Sequence, residues 1–159
     1  NWGQFSALKN TMTAIRKATL EDVHALAPLF DAYRVFYEKA SDVNAAATFL
    51  KDRLALNEAN IFVAEVDGAL VGFTLLYPLF SSTRMKRLWL LNDLFVKPEF
   101  RGQGHSIALI DAAKSLAKTT GAAGLMLETA KSNIIGNQLY PKTGFVCDDN
   151  HNYYSWDTL

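Results

Sequence analysis

The sequence predicts an α/β domain built on a mixed β-sheet, and three features of its pattern support this fold class. Short runs rich in β-branched and aromatic residues alternate with stretches in which apolar residues recur at helical spacing. The dipeptide Asp67-Gly68 joins two of the β-rich runs and is the strongest short-range hairpin signal, because a tight turn needs positive φ. Strands and helices are interleaved along the chain, which is typical of a sheet covered by helices.

The N-terminal part is predicted to hold one strand and two helices. Alternation predicts a strand from Thr13 to Lys17, and Thr19 is predicted to cap the helix that follows. Apolar residues at helical spacing from Leu20 to Phe30 predict that helix. Ser41 is predicted to cap a second helix, whose apolar stripe runs from Ala46 to Leu54.

Three β-rich runs and a helix are predicted in the centre. The runs are Ile61 to Val66, Ala69 to Tyr77 and Leu88 to Val96. Pro98 ends the third run, and the apolar stripe from Ile107 to Ala117 predicts a helix. Gly124 to Leu127 is then predicted to be a short buried strand.

A short helix and two strands are predicted at the C-terminal end. The helix covers Asn133 to Tyr140. Pro141 lacks a backbone donor and disfavours helical geometry at the residue before it, so we expect the helix to end between Asn137 and Leu139. The strands are Phe145 to Val146 and Tyr153 to Trp156, which completes the order β-α-α-β-β-β-α-β-α-β-β.

Length and composition narrow the functional classes. The 159 residues suit one domain, so we expect a single domain at 12–159 and a tag or unstructured extension at 1–11. The 16 basic and 16 acidic residues cancel, which disfavours nucleic acid and anionic membranes as partners. A single cysteine, Cys147, and three His without ligand spacing predict no metal site. The lone thiol, with no spanning segment or signal peptide, favours the cytoplasm.

The segment from Leu94 to Ser106 has the pattern of an anion site. A strand ends, a turn with two glycines follows, and a helix begins. Free N–H groups at the helix start and the helix dipole favour negative charge, while Gly102 and Gly104 allow close approach and Arg101 adds a cation. A dinucleotide fingerprint would need glycine where Ile107 stands, and no P-loop is present. A purely structural connection is the alternative.

This segment resembles the acetyl-CoA motif of the GNAT N-acetyltransferase superfamily. The matching pattern is Val96-x-Pro98-x-x-Arg101-Gly102-x-Gly104, and further matches are Val71-Gly72-Phe73, Asn133 and Leu139-Tyr140-x-Lys142-x-Gly144-Phe145. The resemblance extends from Met12 to about Trp156, with Ser106 standing where Gly or Ala is usual. It implies a mostly antiparallel central sheet with splayed fourth and fifth strands, flanked by about four helices.

The resemblance also implies a binding mode for acetyl-CoA. Pantetheine would insert beside the fourth strand as an added strand, and the loop would hold the pyrophosphate. The implied pantetheine contacts are the backbone of Leu94, Phe95 and Val96, together with Asn133. The implied pyrophosphate contacts are Arg101, Gly102, Gln103, Gly104, His105 and Ser106.

Two residues are candidates for proton transfer. Tyr140 matches the family tyrosine that protonates the departing thiolate, and the alternative is a core tyrosine on the inner face of a short helix. Asp93 is the candidate base, because a carboxylate within an apolar strand is costly unless it is solvated or paired. The alternative is an Asp that anchors a loop or pairs with Arg84 or Arg87. Asn92 and Asp93 should face opposite sides unless a bulge intervenes.

The acceptor is predicted to be a primary amine. Asn92-Asp93 stands where the polyamine acetyltransferases carry Glu-Asp, and the sequence also resembles relatives that acetylate histone tails or small basic amines. Asn92, Tyr37 and Glu38 are therefore candidate acceptor contacts. Tyr37 and Glu38, with their neighbours Tyr33 and Phe36, have a spacing that also fits a packed helix face. A non-catalytic acetyl-CoA sensor or an interaction module is the alternative. The aromatic C-terminal segment favours a homodimer.

Overall fold

The computed structural model describes residues 11–159 of the chain. They form two compact units, the first ending at Leu127 and the second spanning Glu128–Leu159. The extension predicted at 1–11 lies outside the described residues except for Thr11. Among the described residues, no helix is long and apolar enough to cross a membrane.

The first unit contains a five-stranded sheet in which the strands are neighbours in chain order. Its strands are β1 (Thr13–Lys17), β2 (Asn60–Val66), β3 (Ala69–Ser81), β4 (Lys86–Val96) and β5 (Leu125–Met126). The first three pairings are antiparallel and the β4–β5 pairing is parallel. The mixed, mostly antiparallel sheet predicted from the sequence is therefore confirmed.

Three helices of the first unit cover the two faces of this sheet. They are α1 (Val23–Phe36), α2 (Val43–Ala55) and α3 (His105–Thr119). Val63 belongs to the core under α1 and α2, whereas its neighbour Ala64 packs with Leu109 of α3. Successive strand residues point to opposite faces, so α3 lies across the sheet from α1 and α2.

Two local predictions in this unit have clear outcomes. The Asp67-Gly68 hairpin is confirmed, with both residues at positive φ, 50° and 81°. The cap of α2 is Asp42, whose side chain accepts from Ala45 N–H at 3.0 Å, so the prediction of Ser41 is wrong by one residue. Ser41 is used differently, because its hydroxyl donates to Asp31 at 2.7 Å.

A β-bulge interrupts β4 at Asn92. Leu75 of β3 pairs with Asp93 and Leu76 pairs with Leu91, so Asn92 is the extra residue. The bulge reverses the alternation of β4. Asp93 consequently shares the face of Leu75, which is the face covered by α1 and α2.

Within the second unit, the described helix is α4 (Ile134–Lys142), which continues through Pro141. The prediction that Pro141 ends the helix is wrong. Proline removes one donor near the C-terminal end, and the last turn is closed by other groups. Phe145 N–H donates to Tyr140 O at 2.9 Å and Gly144 N–H donates to Pro141 O at 3.1 Å, with Gly144 at φ 94°. These two bonds form a Schellman motif.

The prediction of two strands after α4 is wrong. Residues 145–159 form neither helix nor strand. Val146 and Tyr154 are about nine-tenths exposed, so this segment gains little burial to favour a strand. Asp148 instead forms local contacts, accepting from Asn150 N–H at 2.8 Å and lying 2.6 Å from His151 Nδ1.

Candidate active site

The glycine loop between β4 and α3 has the shape of an anion cradle. A short 3-10 turn (Pro98–Phe100) follows β4, and Gly102 and Gly104 then adopt left-handed φ values of 73° and 85°. A Cβ added at either glycine would meet no atom within 4 Å, so the backbone conformation and not crowding selects glycine here. Gly104 is the N-cap of α3, whose first N–H groups have no partner within the helix. The loop therefore fits a pyrophosphate.

Arg101 joins this loop to the end of β4. Its Nε donates to Val96 O at 2.9 Å. Its guanidinium lies over the rings of Phe36 and Phe95, with its central carbon 5.5 and 5.6 Å from their centroids. Arg101 therefore fixes the path of the loop while keeping a permanent positive charge beside it.

The remaining loop residues present different groups. Gln103 is exposed and Ser106 is partly buried in the first turn of α3. His105 is buried beside the Phe100 ring, and its Nε2 has no hydrogen-bond partner among the described residues. The imidazole is thus part of the packing under the loop.

The outer edge of β4 suits an extended ligand. Lys97 N–H donates to Val71 O at 2.8 Å, so the alternation of the antiparallel ladder directs the backbone polar groups of Leu94 and Val96 away from β3. Within the described residues, β5 pairs with β4 only at Trp89 and Leu90. The two strands therefore part before Leu94, as the predicted splay requires.

Asp93 is a buried carboxylate at the bulge. It is 8% exposed, and Asn92 Nδ2 donates to its Oδ2 at 3.0 Å. The Tyr33 hydroxyl, on α1, also donates to this carboxylate. Burial raises the pKa of Asp93, and the hydrogen bonds from Asn92 and Tyr33 offset part of that rise. Asp93 takes part in none of the salt bridges found among residues 11–159, so it pairs with neither Arg84 nor Arg87, and Arg87 stacks over Phe80 and Trp89 instead.

The structure brings together most of the acceptor residues predicted from the sequence. Asn92 and Asp93 are in contact because of the bulge, and Tyr33 connects them to α1. Tyr37 packs edge-on against Tyr33, with ring centroids 5.0 Å apart. Glu38 follows at the exposed end of α1, at φ 62°. The role of Tyr33 as a partner of Asp93 was not predicted, because the contact depends on how α1 crosses the sheet.

Asn133 and Tyr140 both lie in the second unit. Asn133 caps α4, accepting from Gly136 N–H at 3.1 Å, and its Nδ2 donates to Thr129 Oγ1 at 2.9 Å. Tyr140 stands at the third position from the end of α4, where its ring packs edge-on against Phe145 with centroids 5.7 Å apart. This pair is the hydrophobic contact that accompanies a Schellman motif, and it fixes the tyrosine ring.

Comparison with known proteins identifies the family. Residues 25–145 match the acetyltransferase (GNAT) family. The chain belongs to this family. Its members use acetyl-CoA, so this protein is an acetyl-CoA-dependent N-acetyltransferase, and the glycine loop and the β4 edge fit the donor's pyrophosphate and pantetheine.

Individual relatives agree with this assignment. This acetyltransferase is 46% identical over 140 residues to YhfO, an uncharacterized N-acetyltransferase of Bacillus subtilis (strain 168), covering 88% of this chain and 94% of the relative. A crystal structure of a probable acetyltransferase has 37% identity and a TM-score of 0.88, covering 92% of this chain and 98% of that one. The ribosomal-protein-alanine N-acetyltransferase of Brucella melitensis biovar Abortus 2308 has 25% identity and a TM-score of 0.78, covering 91% and 100%.

Proposed function

We propose that this acetyltransferase transfers the acetyl group of acetyl-CoA to a primary amine by direct attack in a ternary complex. The observation that carries this proposal is the buried carboxylate of Asp93, held at the β4 bulge by Asn92 and Tyr33. It stands two residues before Phe95, on the strand that leads into the glycine loop.

Asp93 is suited to accept the proton of the amine. The amine must lose a proton to become a nucleophile, and a base is most effective when its pKa approaches the working pH. Burial moves the pKa of Asp93 upward in that direction. The donor supplies an activated acetyl thioester when bound, and Asp93 takes up the proton directly or through a water molecule.

The chain's own groups would hold the donor as the family resemblance implies. Loop N–H groups and the Arg101 charge bind the pyrophosphate, and the β4 backbone binds the pantetheine arm. On β4, the outward-facing backbone groups of Leu94 and Val96 would bind this arm, whereas the N–H and C=O of Phe95, which lies between them, face β3. The other proposed residues are Arg101, Gly102, Gln103, Gly104, His105 and Ser106, with Asn133 from the second unit.

Tyr140 is the proposed proton donor to the departing thiolate. Its contact with Phe145 and the Schellman motif restrict its ring, which reduces the ordering cost of a positioned acid. In this proposal the phenol gives its proton as the carbon–sulfur bond breaks, which prevents the thiolate from attacking in reverse.

The acceptor is proposed to be a small polyamine-like amine or a lysine-like amine, contacted by Asn92, Tyr37 and Glu38. Asn92 and Tyr37 are linked to Asp93 through the contacts described above. A peptide α-amine is a second candidate, because the structural relative from Brucella is named for acetylating ribosomal-protein alanine. The single, exposed Cys147 supports a reducing, cytoplasmic setting for the reaction.

The test is a thiol-release assay with acetyl-CoA and a panel of diamines, lysine derivatives and short peptides. We expect release with at least one amine, and we expect Tyr140→Phe to lower kcat about 100-fold, because general acids typically contribute that much or more. Thermal unfolding with and without CoA provides the binding control, since a ligand of the folded state raises the midpoint. A raised midpoint with no release on any amine would favour the non-catalytic sensor.

A further inference from the structure

An open, shallow cavity of about 580 Å³ lies on the surface against the end of α2 and carries a charged pair. Its lining residues are Phe49, Arg53, Asn57, Glu58, Tyr77 and Pro78. Tyr77 and Pro78 belong to the part of β3 that extends beyond its last pairing with β2, at Leu76. The cavity therefore occupies the space that β2 leaves open on the α1–α2 face of the sheet.

Arg53 is the unusual group in this cavity. Its guanidinium stacks over the Phe49 ring at 4.8 Å, and NH2 lies 3.3 Å from Glu58 Oε1. Its Nε is buried and has no hydrogen-bond partner among the described residues. A buried donor without an acceptor is costly, and the planar guanidinium fork matches a carboxylate. The Arg53 side chain is 26% exposed, so the outer N–H groups of its guanidinium, and not the enclosed Nε, can meet an anion in the cavity.

Asp93 does not line the cavity, but one of the lining residues, Tyr77, lies on the same face of the sheet as this proposed base. Tyr77 lies two residues after Leu75 on the same face of β3, about 7 Å along the strand, and Leu75 pairs with Asp93. The electrostatics agree with this placement. Burial first, and then the charge of Asp93, raise the pKa of the Tyr77 phenol, while Arg53 opposes that rise. Tyr77 thus lies within the fields of both Asp93 and Arg53.

We propose that this cavity binds the carboxylate end of a zwitterionic acceptor, so that the preferred substrate is an amino-acid-type amine. The carboxylate binds Arg53, the carbon chain lies along Phe49, Tyr77 and Pro78, and the free amine reaches Asp93. This inference rests on the proposed amine acetylation and names its substrate class. A polycation fits less well, because Arg53 repels it and Glu58 is already occupied by Arg53.

The decisive experiment compares matched acceptors in the thiol-release assay. Linear ω-amino acids of two to six carbons are paired with n-alkylamines of equal length, and the preference is the ratio of their kcat/KM values. We expect the best amino acid to exceed its alkylamine at least 10-fold. We expect Arg53→Gln to reduce that preference to about one and Arg53→Lys to reduce it partly, because lysine keeps the charge but loses the fork.

Two further variants complete the design. Glu58→Gln releases Arg53 from its present partner, so the preference for amino acids should rise. Arg84→Gln removes an exposed arginine from the turn between β3 and β4, outside the cavity, and should leave the preference unchanged. Thermal unfolding of each variant verifies the fold. If Arg53→Gln does not fold, the reduced preference expected for Arg53→Lys tests the inference instead.

A second readout does not depend on turnover. The Nε–H resonance of Arg53, assigned by its loss in Arg53→Lys, should shift when the best amino acid is titrated into the protein and should not shift with the matched alkylamine. Equal preference in the parent and both Arg53 variants, or no shift of this resonance, would overturn the inference while amine acetylation stands. Release with no amine at all would instead refute the proposed function.

Discussion

At the residue scale, Asp93 is a carboxylate held out of water at the β4 bulge, where Asn92 and Tyr33 donate hydrogen bonds to it. Its position in an apolar strand predicted a special role, and its burial confirms that the side chain is not simply solvated. The contact with Asn92 could be foreseen only as the consequence of a bulge, because bulges leave little trace in residue spacing. Tyr33 was noted on the first helix, yet its bond to Asp93 depends on tertiary packing that local patterns do not encode.

Asp93→Asn is expected to separate activity from stability. Loss of the base should lower kcat/KM about 100-fold or more. The pKa of Asp93 is raised in the folded state. The contribution of its carboxyl group to the stability of the parent is therefore fully present below the unfolded pKa, and it is lost as pH rises through the folded pKa. The variant lacks that fall, so its unfolding midpoint should match the parent near pH 4 and exceed it at pH 8.

Thermal unfolding at both pH values and thiol release at pH 8 measure these effects. Asp111→Asn, on the exposed face of α3, is the matched control and should change neither quantity appreciably. In the parent, kcat/KM should decline as pH falls through the raised pKa of Asp93, because the protonated carboxyl cannot act as a base. An active Asp93→Asn enzyme with the parental pH profile would exclude Asp93 as the base.

At the element scale, strong periodic signals predicted the helices and the central strands, whereas weak ones failed. Pro141 was expected to end α4, but the Schellman bonds from Phe145 and Gly144 close the last turn around it. The predicted C-terminal strands had only short aromatic runs as support, and the segment remains exposed. Both errors have one cause, since a local preference, about 3 kcal/mol for proline within a helix and about 1 kcal/mol for a strand former, is overridden by hydrogen bonding or lack of burial.

An ion-pair network that joins three elements should make stability depend on acid. Arg16 of β1 binds Asp22 before α1 and Glu65 of β2, and Asp22 also accepts from Thr19 N–H at 2.7 Å. The hydrogen bond from Arg16 lowers the pKa of Asp22 to about 2. The stability that Asp22 contributes is therefore present above its unfolded pKa, near pH 4, and is lost as pH falls through about 2.

Asp22→Asn should consequently destabilise the protein by about 1 kcal/mol at pH 7, a value typical of a lost capping interaction. The deficit should shrink toward pH 2, where the parent carboxylate is also protonated. Urea unfolding at pH 7 and pH 2.5 measures the difference, with the exposed Asp157→Asn as the control. A deficit that is equal at both pH values would show that the charge of Asp22 does not contribute to the free energy of unfolding.

At the scale of the whole molecule, a few spaced motifs were sufficient to identify the family, but they do not indicate how copies of the chain assemble. The glycine loop and the Asn133-to-Phe145 pattern are separated by a fixed element order, and that order was predicted correctly as far as α4 but not for the two strands expected after it. Association depends on surface shape, which periodicity does not describe. What the sequence offers is a run of apolar side chains near the C-terminus, and the structure leaves Tyr153, Tyr154 and Trp156 exposed.

We predict a homodimer that buries these aromatic side chains, because clustered exposed aromatics commonly mark protein interfaces. Light scattering at assay concentration should give twice the monomer mass of 17.7 kDa. The double variant Tyr154→Ser, Trp156→Ser should shift the mass toward the monomer, whereas Phe80→Ser, which removes an exposed aromatic on β3, should not. A parent protein that scatters as a monomer would refute the dimer. A double variant that remains dimeric would place the interface elsewhere, since the aromatic segment would then supply too little of the buried area to hold two copies together.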